Sequence, residues 1–110
     1  MPTGVVHMGK YQATVQSKAS AKEVYDFLAS GAKTKMKVKS ADPGALKVSL
    51  KSKVGFFSYG EIVDCTVGST GMGSRIDLEG RPVLATNITA DVKGTVTKVT
   101  EAIMAEFGNR

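Results

Sequence analysis

The sequence predicts an α+β domain of two layers: a single antiparallel sheet of about five strands with two helices on one face, in the order β-α-β-β-β-β-α. Three observations carry this reading. Several segments alternate apolar and polar residues, the signature of half-buried strands. Two other segments repeat apolar residues at spacings of three and four, the signature of amphipathic helices. The central strands follow one another through short turns, which favours an antiparallel meander over parallel crossovers.

Residues 1–9 read as a lead-in and 10–110 as one domain. Tyr11, Ala13 and Val15 point one way and Gln12, Thr14 and Gln16 the other, giving the first strand. Ser20 and Glu23 then have the spacing of a capping box, in which each side chain accepts from the other's amide. Val24, Phe27 and Leu28 follow at helical spacing with Tyr25 beside them, and Gly31 is a natural stop, so a helix is expected over residues 21–30.

Seven of the twelve lysines lie between Lys33 and Lys53, all at odd positions. Lys33, Lys35, Lys37 and Lys39 precede the turn at residues 41–44; Lys47, Lys51 and Lys53 follow it. Alternate residues of a strand share a face, so the stretch reads as a hairpin with one face covered in ammonium groups. Met36, Val38, Leu46, Val48 and Leu50 face inward. A register with Lys39 opposite Lys47 also sets Lys35 opposite Lys51 and Lys33 opposite Lys53, and like charges directly across a sheet are destabilising.

Val63, Cys65 and Val67 share one face of the next strand, with Asp64 and Thr66 on the other. A bulge near Gly60 would reconcile this pattern with the adjacent apolar pair Ile62 and Val63. Residues 68–73 form a glycine-containing turn, after which Ile76 and Leu78 point in and Arg75, Asp77 and Glu79 point out. Ile88, Val92, Val96, Val99, Ile103 and Phe107 then define a helix of about five turns, with Thr86 or Asn87 as N-cap and Gly108 as its end. Gly94 inside it costs about 1 kcal/mol relative to alanine, so either the helix starts raggedly or something packs closely there.

Composition narrows the function classes. A chain of 110 residues with 42% hydrophobic and 23% charged residues is an ordinary globular domain and not a disordered one. Its net charge of +5 permits an anionic partner without demanding one. The single cysteine, Cys65, excludes an intrachain disulfide and fits a reducing cytoplasm. No apolar run is long enough to span a membrane, and the first residues lack the pattern of a signal peptide.

Residues 57–65, with Tyr59, Gly60 and Glu61 opening a strand, are followed by Gly73 and Ser74 in the next strand and by an amphipathic helix over 88–107. This arrangement resembles small uncharacterised bacterial β-α-β4-α domains of helix-grip-like or TBP-like shape. The chain departs from them in having no tryptophan. The resemblance implies a fold and a ligand groove between the long helix and the sheet, and it carries no catalytic residue to transfer.

The residues themselves offer little chemistry. Glu61, Asp64, Asp77 and Glu79 read as the solvent face of two neighbouring strands; with Arg75 they give residues 61–79 a charge of −3. His7 is the lone histidine and has no partner of defined geometry. Cys65 has inward parity and reads as a small hydrophobe. Gly68, Gly71 and Gly73 lack the Lys-Ser/Thr ending of a phosphate loop and precede a strand, so they mark a hairpin. Phe56, Phe57 and Tyr59 lie too close together to share one face; two of the three are expected in the core.

No metal site, cofactor or catalytic set is therefore expected. The leading expectation is a non-enzymatic binding domain that holds a small apolar ligand, or a partner protein, between the C-terminal helix and the sheet. Ile88, Val92, Val96 and Val99 would line one side, Tyr59, Val63, Cys65, Ile76 and Leu78 the other; the competing reading is that they fill the core. The alternative partner is nucleic acid or another polyanion on Lys33, Lys35, Lys37, Lys39, Lys47, Lys51 and Lys53. An enzyme using Glu61 or Asp64 with Tyr59 ranks last. A homodimer through a sheet edge stays open.

Overall fold

A computed structural model describes residues 10–31, 34, 36–52, 60–83 and 91–108. Its elements are β1 (Tyr11–Ser17), α1 (Ala21–Ser30), β2 (Lys37–Asp42), β3 (Lys47–Lys51), β4 (Glu61–Thr70), β5 (Gly73–Pro82) and α2 (Val92–Phe107). The five strands form one sheet in the order β1-β5-β4-β3-β2, with every neighbouring pair antiparallel. The meander β2 to β5 is local. The pairing of β1 with β5, Val15 opposite Ile76, closes the sheet over a long sequence distance. The expected α+β architecture is the one observed.

Both helices lie on the same sheet face. Helix α1 packs over β2 to β5, and α2 over β1, β5 and β4. Val24 and Leu28 of α1, Leu50 of β3, Val63 of β4, Ile76 of β5 and Val96, Val99 and Ile103 of α2 are wholly shielded from solvent. The helices meet where the rings of Phe27 and Phe107 sit edge to face, centroids 5.4 Å apart. Lys98 and Glu101 face solvent on the far side of α2.

Helix α1 is bounded as its sequence dictates. Ser20 Oγ accepts from the Glu23 amide at 3.2 Å, Glu23 Oε1 accepts from the Ser20 amide at 3.3 Å, and Gly31 closes the helix with φ 70°. Helix α2 begins later than the periodicity implies. Asp91 is its N-cap, and its Oδ1 accepts from the Gly94 amide at 3.0 Å. The expected caps Thr86 and Asn87, and Ile88, lie outside the described residues. Gly94 now has a physical reason: a β-carbon there would collide with the Asp91 carboxylate that caps the helix.

Four local expectations are corrected. The β2–β3 register sets Lys37 opposite Lys51 and Asp42 opposite Lys47, with an irregularity between Val38 and Ser40 that displaces Lys39 from the alternation. Strand β2 runs through Asp42, whose carboxylate accepts from the amides of Gly44 and Ala45, so the turn falls after it. The glycine segment 68–73 is mostly strand: Thr70 pairs with Gly73, leaving a two-residue turn at Gly71 and Met72. Glu61 does not face solvent. It has the parity of Val63 and Cys65, opens β4 on the helix-covered face and is buried.

Candidate functional site: a cleft at the end of helix α2

The buried seam between α2 and the sheet starts at Glu61. Its Oε1 accepts from the Thr95 hydroxyl at 2.6 Å and the Ser52 hydroxyl at 3.0 Å, and its Oε2 accepts from the Asp91 amide at 3.2 Å. The carboxylate thus sits against the first turn of α2, where exposed amides and the helix dipole favour negative charge. These bonds fasten the helix start to β4. One turn further on, the helix crosses Gly80, where a β-carbon would fall inside van der Waals contact with Val92 and Val96. Glycine is what lets the two backbones approach there.

Of the residues expected to line a groove, Val63, Cys65, Ile76, Leu78, Val96 and Val99 are buried together in the hydrophobic core, and Val92 is buried over Gly80. Tyr59 and Ile88 lie outside the described residues. The Cys65 thiol is pushed up to about 12, first by burial and second by the negative charge of neighbouring Asp64. A thiol so far from ionising is a poor nucleophile. Glu61 and Asp64 emerge on opposite faces of β4, so they do not form a carboxylate pair. Among the described residues no cluster of three or more His, Cys, Asp or Glu side chains is arranged for a metal ion. His7 lies outside the described residues.

The seam opens at the other end of α2. A solvent-open cleft of about 310 Å³ lies between the last turn of the helix and the end of the sheet. Met104, Phe107 and Gly108 supply its helix wall; Gln16, Ser17 and Lys18 at the end of β1 face them; Thr70, Met72 and Ser74 of the β4–β5 hairpin complete it. Met72 and Met104 are the large hydrophobic side chains most exposed here, at 83% and 52%. Ser74 shares the inward parity of Ile76 and Leu78 and is 1% exposed. Its hydroxyl has no hydrogen-bond partner, the sole buried side-chain polar atom in that state among the described residues. Gly73, with φ 147°, presses against the backbone of Ser17 and Lys18 and holds the hairpin to β1 beneath the cleft. The sequence marks Ser74 only through its parity. Met72 and Met104 carry no signal until the helix end and the hairpin are seen side by side.

The outer sheet face is of mixed charge. Lys37, Lys47 and Lys51 project from it, but register interleaves them with Asp42, Asp64, Asp77 and Glu79. Glu79 accepts from Gln12, Asp77 from Thr14 and Arg75, and Asp64 from Ser49 and Arg81. A shallow polar hollow of about 410 Å³ lies over these acids. Lys39 is exposed at the strand irregularity, and Lys33, Lys35 and Lys53 lie outside the described residues. A continuous ammonium face is therefore not what the described hairpin presents.

No family's sequence profile matches the chain, and no curated protein sequence does. Solved structures do match. A member of the major latex protein family from Arabidopsis thaliana is similar with a TM-score of 0.63 at 13% identity, over 92% of each chain. The di-domain ARO/CYC protein BexL of the BE-7585A biosynthetic pathway is similar with a TM-score of 0.56 at 12% identity, over 88% of this chain and 42% of that one. At such identity the likeness speaks for the fold: this chain has a helix-grip-like fold, a long C-terminal helix laid across an antiparallel sheet.

Proposed function

We propose that the protein is a non-enzymatic binding domain that takes a small apolar ligand between α2 and the sheet, entering at the cleft beside Met72, Met104 and Phe107. The observation that carries this reading is the pair of exposed methionines flanking an open cleft continuous in position with the buried seam. Thioether side chains are flexible and polarisable, so they adapt to varied apolar shapes. Large exposed apolar groups gathered at a concavity mark binding sites more often than scattered ones do. Among the described residues no cluster of His, Cys, Asp or Glu is arranged for a metal ion, and the Cys65 thiol is held far from ionising. The structural relatives support the fold of such a domain; one belongs to the major latex proteins and the other is an ARO/CYC protein.

The test is titration with the uncharged fluorophore N-phenyl-1-naphthylamine. Emission should rise on binding and thermal stability should rise with it, by the linkage of ligand to the native state. Met104→Glu places a charge in the cleft wall and should abolish the fluorescence gain while leaving the fold intact, because Met104 is exposed. No gain with the parent protein, or an equal gain with Met104→Glu, overturns the proposal.

A further inference from the structure

The cleft's polar groups are nearly all hydrogen-bond donors or neutral, and they converge on one kind of ligand head. Ser74 lines the cleft, and its Oγ is buried with no partner among the described residues. A buried hydroxyl in that state carries a standing desolvation penalty, which an acceptor atom on a ligand would remove. Lys18 stands at the rim, exposed and with no ion pair among the described residues. Among the described residues no acidic side chain lines the cleft. The C-terminal end of α2 opposes an anion, but with a partial charge of about half a unit that is screened by solvent. A full lysine charge outweighs it, and the Met104 carbonyl at that end is already taken by the Gly108 amide at 2.7 Å.

Resting on the binding role proposed above, we infer that the ligand is an apolar monocarboxylate. Its hydrocarbon body lies against Met72, Met104 and Phe107; its carboxylate accepts from Ser74 Oγ and faces Lys18 Nζ. The cleft volume of about 310 Å³ falls at the low end of small-molecule sites, which suits a single chain or ring and not a large lipid. A charged acceptor also gains more from the Ser74 hydroxyl than a neutral one, since charge-assisted hydrogen bonds are the stronger kind.

Three probes of equal chain length separate the head group from the body: decanoate, decanol and decyltrimethylammonium, each titrated into the full chain by calorimetry. Decanoate should bind about tenfold tighter than decanol, and the ammonium weakest. Ser74→Ala should weaken decanoate about tenfold and leave decanol within about twofold. Lys18→Gln should weaken decanoate in low salt and matter less at high salt. Ser74→Ala should not lower the melting temperature of the unliganded protein, because the lost hydroxyl has no partner. Equal binding of decanoate and decanol overturns the carboxylate while leaving the apolar binding role standing. Tightest binding by the ammonium also overturns it. Preference for decanoate that survives both substitutions places the head elsewhere and overturns the site. A lowered melting temperature in Ser74→Ala overturns the claim that its hydroxyl awaits a ligand. Binding of none of the three overturns this inference; if N-phenyl-1-naphthylamine still binds, the broader role survives it.

Discussion

The Thr95 hydroxyl donates to Glu61 Oε1 at 2.6 Å inside the core, tying the first turn of α2 to the opening of β4. A buried carboxylate is costly unless hydrogen-bonded, and here hydroxyls and a helix amide supply what water would. The bond joins residues 34 apart in sequence and fixes where the helix starts on the sheet.

Removing it should be felt. Thr95→Val keeps the shape and deletes the donor, leaving Glu61 under-satisfied. Hydrogen bonds to charged groups are worth about 1.5–3 kcal/mol, so the urea midpoint should fall by the corresponding amount. An unchanged midpoint would refute the role assigned to this pair.

Gly80 marks the closest approach of α2 to β5. Gly80→Ala drives a β-carbon into Val92 and Val96, and overpacking of this kind costs about 1–3 kcal/mol. Val96→Ala should partly relieve it, so the double variant is expected to be more stable than the two single effects summed. Simple additivity in denaturant unfolding would show that the helix does not press there.

Val99 is fully buried and its neighbour Lys98 is exposed. Val99→Asp buries an unpartnered carboxylate and should cost about 4 kcal/mol or more, enough to abolish a cooperative melting transition in a marginal domain. Lys98→Glu should stay within about 0.5 kcal/mol of the parent. Similar melting curves for the two variants would contradict the helix orientation.

Cys65 gives a pH dependence. Its thiol shifts from 9.0 to about 12 on burial, so the unfolded chain loses this proton more readily than the folded one. The contribution is intact below pH 9 and is lost progressively as pH rises from 9 towards 12. Stability should therefore fall more steeply over that window in the parent than in Cys65→Ala, whatever the other titrating groups do in both. Parallel curves from alkaline unfolding would disprove the shift. In the native state the thiol should also react with iodoacetamide far more slowly than after unfolding.

Much of this architecture is written locally. The capping box at Ser20 and Glu23, the alternation of Val63, Cys65 and Val67, and the three-and-four spacing from Val92 to Phe107 each depend on contacts a few residues long. Period and capping chemistry follow from backbone geometry alone, so they survive without knowledge of partners. The parity of Glu61 with Val63 was equally legible; a carboxylate reads as solvent-facing only because the hydroxyl that satisfies it, on Thr95, is remote in sequence.

Tertiary structure decided the rest. The strand irregularity that displaces Lys39 and sets Asp42 opposite Lys47 turns an apparent lysine face into a mixed one, because register is a property of two strands and not of one. The cleft exists only because the β1–β5 pairing brings Ser17 to Ser74 while α2 ends at Phe107 above them. The chain by itself determined the elements and their faces, through local periodicity. Which faces meet, and where they leave a hydroxyl unpaired beside two exposed methionines, was decided by long-range packing, whose energy lies in contacts between residues far apart in the sequence.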